Sequence, residues 1–574
     1  MAFLLLVACI VLAIAALPIV KLARRYNEAR LIGLPVVIDL VDQSSLIWKN
    51  FGDRFKPFLK RLPFRIGHYV GFRYFFHDRY RLHELIGPIY TVAAPDGITA
   101  PYFPFETTRS LNIMTGTYSQ STRIVVADAD VADDVLTRYK DFIKPKSMYE
   151  ALELFGPNVD TVNGKVWQRQ RRLTTPPFNE RNSSLVWRES IIQAKDMMRF
   201  WTSVGGDGIS KTTSDTMTLA LHVLTAAGFG KPYDFEGGVT KLTGDHKLSY
   251  KDSLRLILRN FGVAFLIETK QPTTSVPRSM IAGISTAIKD FKQYMEEMID
   301  EERAKIGTAQ ANDNLMSVLV HASESEAQGI ERAGLTREEM LGNLFIYNLA
   351  GHDTTANTIG YAIYLMASKP EWQVWIREEL DFVFGGDDAS EDDYEKAFPK
   401  LKRCLAAMYE TLRLYGPVVV IPKATADTII EIVSNGKTYS IPRNTNVLVN
   451  VNGLNTSPHY WGPDALTWRP DRWIHNSGKT KSMADEEMMQ APKGRFLSWA
   501  SGPRICPGKK FSQVEFVAVM ATLFRRLRVV PVINEGESEE DVKKRILETV
   551  EDSKIVMTLA MKHPERVKLI WEEG

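Results

Sequence analysis

Cys506 lies in "WASGPRICPG", residues 499–508, hemmed by two prolines and two glycines, with Arg504 two residues before it. The other cysteines, Cys9 and Cys404, are too far off in sequence to make a disulfide framework or a zinc spacing with it. A lone thiol is a nucleophile, a metal ligand or core filler. A nucleophile needs a base beside it, and the nearest histidines, His459 and His475, stand in no recognisable arrangement with it. Filler does not need glycine and proline on both sides. A thiolate ligand does: Gly502 and Gly508 let backbone amides reach the sulfur, and such outer hydrogen bonds tune a bound metal. The stretch "KKFSQVEFVAVMATLFRRL" then reads as a helix whose positive end faces the sulfur.

Three further stretches carry residues with chemistry in them. "AGHDTT", 350–355, interrupts a long apolar helical run. Gly351 costs about 1 kcal/mol there against alanine. The hydroxyls of Thr354 and Thr355 can bond carbonyls one turn back and bend the helix. Thr354 lies one turn from Ala350, so a small residue, a hydroxyl and the acid Asp353 border a groove suited to a small ligand and to proton relay. "GKVWQRQRRL" puts Trp167 and Arg171 on one helical face, two donors able to grip an anion at the edge of a flat apolar object. Arg169 and Arg172 point elsewhere. "YETLRLYGP" sets Glu410 and Arg413 three apart on one face, and Arg472 follows in the rigid, aromatic "TWRPDRW". A half-buried arginine there needs a carboxylate, which makes Glu410 a candidate bridge between Arg413 and Arg472. Taken singly, the three also read as a kink, a surface helix and a solvated pair.

Together, and in this order, these stretches resemble the cytochrome P450 haem-thiolate monooxygenases. The family's Phe-x-x-Gly-x-Arg-x-Cys-x-Gly pattern is met by Trp499, Gly502, Arg504, Cys506 and Gly508, with tryptophan in place of phenylalanine. "AGHDTT" looks like the oxygen-activation groove, "ETLR" like Glu-x-x-Arg, "PDRW" like the later Pro-Glu-Arg-Phe segment, and "WQRQR" like Trp-x-x-x-Arg. The likeness runs from about residue 80 to the C-terminus. It implies haem b with Cys506 as the axial thiolate and metal ligand, and a cofactor site that also takes in Ala350, Gly351, Gly502 and Gly508. It implies Trp167, Arg171 and Arg504 at the haem propionates, Thr354 and Asp353 as the catalytic relay, and Glu410, Arg413 and Arg472 as structural support of the cysteine loop. One oxygen atom would enter an apolar substrate. Electrons would come from a separate NADPH–cytochrome P450 reductase, with cytochrome b5 as a further candidate donor, because no nucleotide-binding fingerprint is visible. Arg169, Arg172, Lys493, Arg495, Lys509 and Lys510 are candidates for a basic docking face. The alternatives are a haem-thiolate isomerase or dehydratase that works without oxygen, which would lack the acid–threonine pair, and a haem-binding protein without turnover.

These residues need a scaffold, and the rest of the chain supplies its outline. With 44% hydrophobic and 24% charged residues in 574, it is an ordinary globular composition able to bury a large core. A net charge of +2 argues against a nucleic-acid partner. Three-and-four apolar spacing from about 130 to 415 predicts helices. Thr336 and Glu339 form a capping-box pattern that opens a helix running to Pro370. After 418 the period shifts to two, with a hairpin signal at Asn435-Gly436. The expected fold is mainly α with small antiparallel β-sheets. Residues 2–20 are uncharged and as a helix would span roughly 28 Å, close to a bilayer's apolar thickness. The basic "KLARR" that follows would keep the next segment cytosolic. The expected layout is a membrane anchor over 2–20, a basic and aromatic linker over 21–80 and a catalytic domain over 81–574. It corresponds to a single-pass protein of the endoplasmic reticulum membrane. "GVAFLI", 262–267, is short enough only to dip into an interface.

Overall fold

The computed structural model describes residues 19–38, 74–94 and 122–574, except for short stretches at 205–206, 237–241, 243, 271–275, 306–313, 328–333, 386–389, 477–481 and 556. All but the last two residues of the expected anchor, and residues 39–73 of the linker, lie outside the described residues. Residues 19–31 are helical, and no helix among the described residues is long and apolar enough to cross a membrane.

Helices dominate. The main ones are α1 (Ala129–Thr137), α2 (Gly164–Thr174), α3 (Glu180–Ser203), α4 (Thr212–Phe229), α5 (Tyr250–Arg259), α6 (Phe261–Glu268), α7 (Arg278–Lys305), α8 (Leu315–Ala327), α9 (Arg337–Ser368), α10 (Glu371–Phe384), α11 (Lys402–Tyr415), α12 (Lys509–Phe524) and α13 (Glu539–Glu551). The axis of the molecule is α9. Its N-terminus is the capping box foreseen from sequence: Thr336 Oγ1 accepts from the Glu339 amide, and Glu339 Oε2 accepts from the Thr336 amide. Nearly all of its 32 residues are buried, because it is apolar all round and wrapped by α4, α11, α12 and α13. Gly342 is needed where the 150–163 segment crosses it. A methyl group there would fall 2.3 Å from the Gly156 carbonyl oxygen. "GVAFLI" belongs to α6, which buries Ala264, Phe265 and Leu266 and leaves Val263 and Ile267 partly exposed.

The sheets differ from the expectation in one respect. The largest has six strands in the order β1 (Val36–Ile38), β2 (Ile89–Ala93), β3 (Thr122–Val126), β8 (Asn446–Val449), β5 (Ile421–Thr425) and β4 (Phe142–Ile143). It is mixed, not antiparallel: β1 runs parallel to β2, and β3 parallel to β8. The physical reason is long-range connection. Neither pair is joined by a tight turn, since β1 and β2 lie about 50 residues apart and β3 and β8 more than 300, so either direction is open to them. The two-stranded sheets are antiparallel, among them β9 (Ile474–Asn476) with β10 (Glu486–Met488) and β11 (Leu527–Pro531) with β14 (Leu569–Glu573). In a third, β6 (Ile430–Ser434) turns into β7 (Lys437–Ile441) through Asn435 and Gly436, both at positive φ (51° and 72°). That is the primed turn that Asn-Gly favours. Another pairs β12 (Ser553–Ile555) with β13 (Leu559–Met561), and this hairpin leans on α9 beside Asp353.

Candidate active site

The loop around Cys506 is wound tightly before α12 begins. Ala500 and Gly502 take positive φ, 60° and 67°, and a methyl group on Gly502 would sit 2.8 Å from the Leu136 carbonyl oxygen of α1. The Cys506 amide donates to the Trp499 carbonyl at 2.9 Å and closes the loop. Trp499 Nε1 donates to Ser512 Oγ at 3.1 Å, and its ring packs on Tyr409 with centroids 5.1 Å apart. The tryptophan thus fastens the loop to both α11 and α12. Cys506 is solvent-accessible although burial weighs on its thiol, and it lies close enough to Tyr347 of α9 for their charges to interact, so it borders an opening between this loop and α9. Burial raises the thiol pKa, whereas the Gly508 amide and the Arg171 charge hold it down.

The same face of α9 meets this loop. Tyr347, Ala350 and Thr354 are stacked at helical spacing. The Tyr347 ring packs against Phe178, whose own ring edge would lie 3.9 Å from a methyl group on Gly508. Ala350 is exposed in the middle of a buried helix, so it faces this opening. Thr354 Oγ1 donates to the Ala350 carbonyl at 2.9 Å, the back-bond read from the sequence. Gly351 faces elsewhere, toward α4. A methyl group there would meet the Leu224 side chain at 2.9 Å, so its small size serves helix packing. The Asp353 carboxylate accepts from the Thr558 hydroxyl of the β12–β13 hairpin, and Thr558 in turn accepts from Asn357 at 3.1 Å.

Helix α2 is held to α9 by a network that the sequence did not reveal. Arg169 forms an ion pair with Glu339, Gln170 donates to Glu339 at 3.1 Å, Asn343 donates to Gln170 at 3.0 Å, and Tyr347 donates to Thr174 at 2.8 Å. Arg169 therefore leaves the proposed basic docking rim, because its charge is spent against α9. The opposite edge of α2 addresses the cysteine loop. Arg171 donates to the Ile505 carbonyl at 2.8 Å, and the Arg504 guanidinium lies 4.5 Å from the centre of the Trp167 ring.

Glu410 is fully buried and accepts five hydrogen bonds. They come from Arg413 (two, each 2.8 Å), Arg472 Nε (2.8 Å), the Arg469 amide (2.9 Å) and Trp473 Nε1 (2.9 Å). Next along α11, Tyr409 contacts Trp499, while Ser498 donates to the Leu412 carbonyl at 3.2 Å. The bridge left open by spacing is present, and it abuts the cysteine loop.

Comparison with known proteins agrees. The family model described as Cytochrome P450 matches residues 107–555. A cytochrome P450 monooxygenase of Penicillium roqueforti is 30% identical over 561 residues, covering 92% of this chain and 91% of that one. One assigned to a phomenoic acid biosynthesis cluster in Leptosphaeria maculans is 30% identical over 552 residues, with 90% of each chain covered. The chain belongs to the cytochrome P450 family. The fold agrees with a crystal structure of a cytochrome P450 (CYP102L1) at a TM-score of 0.60 and 16% identity, over 86% of this chain and 93% of that one.

Cytochromes P450 carry haem on a cysteine thiolate, and the charges here fit such a group. Lys144, Lys423, Arg504 and Arg171 converge near the opening, and Asp160, ion-paired with Lys144, is the one acid among the described residues that bears on this cluster. Lys423 is almost fully buried and has no ion pair among the described residues. Burial drives its pKa down to about 7, and Lys144 and Arg504 push the same way. Arg504 is lowered to about 10, mainly by burial, and its Nε is buried without a partner. A surplus of buried cations suits a group bearing carboxylates. Lys144 and Lys423 were not legible from sequence. They lie at the start of the 145–163 segment and on β5, and only the fold brings them beside Arg504.

A pH test follows. With the anion absent, Lys423 releases its proton above about 7; with it present, it stays charged toward the ordinary lysine range near ~10. Haem affinity will therefore fall as pH rises through that window, by up to about tenfold per pH unit. Haem transfer to apomyoglobin will show this slope in the wild type, and Lys423→Met will flatten it. An unchanged slope in the variant refutes the assignment.

Proposed function

We propose that this cytochrome P450 is a membrane-anchored monooxygenase that inserts one atom of dioxygen into an apolar substrate in secondary metabolism. Electrons come from a separate NADPH-dependent flavoprotein reductase at the endoplasmic reticulum. The observation that carries the reading is the accessible Cys506 in its tightly wound loop, against the face of α9 that exposes Ala350 and bears Thr354. Haem ligated by a thiolate supplies the chemistry of oxygen activation. Cys506 would ligate it, and Trp167, Arg171, Arg504, Lys144 and Lys423 would hold its carboxylates. Arg172, Lys493, Arg495, Lys509 and Lys510 remain for reductase docking. The Leptosphaeria relative supports a biosynthetic setting, and the uncharged 2–20 stretch supports the anchor.

Proton handling falls to α9. Thr354 spends its own hydrogen on the Ala350 carbonyl, so its oxygen is free to accept from water in the opening. Asp353, one residue earlier, opens on the other side of the helix, where the Thr558 hydroxyl holds its carboxylate. Rotation of that carboxylate passes a proton from one side to the other. Thr354→Ala will retain haem but release hydrogen peroxide in place of product at a similar rate of NADPH use. Fully coupled turnover would rule out the relay. The whole reading is tested by oxygen consumption of the haem-loaded chain with reductase and NADPH. No consumption with any member of a panel of apolar compounds, in a protein that shows the thiolate-type carbon monoxide band, refutes monooxygenation.

A further inference from the structure

A cavity of about 380 Å³ lies between α4, α5, α9 and the β12–β13 hairpin. Sites for small organic ligands begin near this size, at about 300 Å³. Tyr347, Ala350, Thr354 and Cys506 do not line it, so it is separate from the opening at the cysteine loop. Its walls differ in chemistry. Met217 and Leu221 of α4 and Leu254 and Leu258 of α5 are apolar. Lys251, Arg255 and Arg259, each one turn after the last on α5, form a cationic stripe, and Lys554 of the hairpin adds a further positive charge.

The stripe is unmatched within the protein. Arg255, Arg259 and Lys554 have no ion pair among the described residues. The Lys251 ammonium meets only the Thr218 hydroxyl, at 2.6 Å. The acids nearby are committed elsewhere. Asp215 accepts from Trp201 Nε1 at 2.8 Å, Asp252 from the Ser249 hydroxyl at 2.7 Å and Asp353 from Thr558, while Glu565 lies at the exposed edge beside His563. Lys562, also at the cavity, is paired with Asp552. Burial lowers the pKa of Lys251 and of Arg259, and the Arg255 charge pushes both the same way. Like charges one turn apart destabilise a helix, so the folding of α5 does not account for the stripe.

We propose that this cavity is a second ligand site, which takes an apolar chain ending in a phosphate monoester. The chain lies on the leucines and the methionine, and the phosphate sits at the rim, where Arg255, Arg259 and Lys554 are exposed. The number of cations favours phosphate. A carboxylate brings a single negative charge, whereas a phosphate monoester brings about 1.5–2 at neutral pH, with three strong acceptor oxygens. The planar fork of arginine meets such oxygens with paired hydrogen bonds. A neutral chain would leave the stripe unmatched, and free phosphate would leave the apolar wall uncovered. The occupant has no need to reach Cys506, so the site goes beyond the monooxygenase reading and does not depend on it.

The test is equilibrium dialysis of the haem-loaded full chain against dodecyl phosphate, dodecanoate, dodecanol and inorganic phosphate, with the amphiphiles below their micellar concentrations. Dodecyl phosphate should bind tightest, dodecanoate and dodecanol successively more weakly, and inorganic phosphate not measurably. Arg255→Gln with Arg259→Gln should weaken dodecyl phosphate by at least about tenfold and dodecanol by less than about twofold. Both positions are exposed, so the thiolate-type carbon monoxide band should be unaltered, which shows that the fold is kept. Saturating phenylimidazole, whose nitrogen binds haem iron, should leave dodecyl phosphate in place. Its displacement overturns the proposal, because the compound then lies over the haem. Dodecanol binding as tightly as dodecyl phosphate, or equal losses of the two in the variant, overturns it by removing the role of charge. Inorganic phosphate binding as tightly overturns it by removing the role of the chain. Dodecanoate matching dodecyl phosphate overturns the choice of phosphate.

Discussion

Cys506→Ser will abolish the thiolate-type absorption band of the reduced, carbon monoxide-bound protein, while Cys404→Ser will leave it in place. The two cysteines differ in every respect that bears on metal ligation. Cys404 is fully buried on α11, and the charge of Glu379 beside it adds to burial in raising its thiol pKa. It is an apolar filler with a weak hydrogen bond. Cys506 is accessible, receives the Gly508 amide and feels the Arg171 charge. Serine preserves the loop, because its closure rests on the backbone bond from residue 506 to the Trp499 carbonyl and on Trp499 itself. What it removes is a soft, ionisable donor. Some haem will stay associated through Lys423, Arg171 and Arg504, which separates loss of the ligand from loss of the site. Survival of the band in Cys506→Ser would mean that another residue ligates the iron.

The two cysteines also show which features the sequence could disclose. Cys506 was legible because its constraint is local: glycines, prolines and an arginine within a few residues declare a special backbone. The α9 capping box and the Asn435-Gly436 turn were legible for the same reason. The ring of five donors on Glu410 was half legible, since Arg413 is a helical neighbour but Arg472 comes 62 residues later, beyond any periodic rule. Lys144, Lys423 and the Arg169–Glu339 pair were not legible, because isolated lysines and a surface-like helix carry no sign of the element that will cover them. Arg169 was misread for that reason. Its own helix suggests solvent, and only α9, more than 160 residues away, turns it inward. Gly351 was read as part of a groove, but a glycine in a helix marks close approach without saying to which neighbour. The direction of β1 and β8 likewise depends on partners distant in sequence.

Glu410→Ala will leave no recoverable holoprotein, and it will do so through folding rather than chemistry. The carboxylate is fully buried and neutralises two arginines whose side chains are 0% and 6% exposed. Removing one partner of such a set leaves buried charge uncompensated and costs about 3–5 kcal/mol. Set against a total stability of about 5–15 kcal/mol, that consumes much of the margin. The damage is also directional. Arg413 donates as well to the Asn455 and Ala465 carbonyls, at 2.9 and 2.6 Å, so α11 and the 455–473 segment part where Tyr409 and Ser498 brace the cysteine loop. Glu410→Gln is the sharper variant. It keeps the shape but offers one acceptor oxygen and an NH₂ group to a ring of donors, so two or more N–H groups lose their acceptor. It should fold with a lower urea midpoint and with haem that leaves faster, while the haem that remains keeps the thiolate-type band. Arg413→Lys should fall in the same class, since an ammonium cannot reproduce the two-pronged contact with Glu410. If Glu410→Gln matches the wild type in both urea midpoint and haem retention, the five hydrogen bonds do not support the loop, and its shape must come from Trp499 and α12 alone.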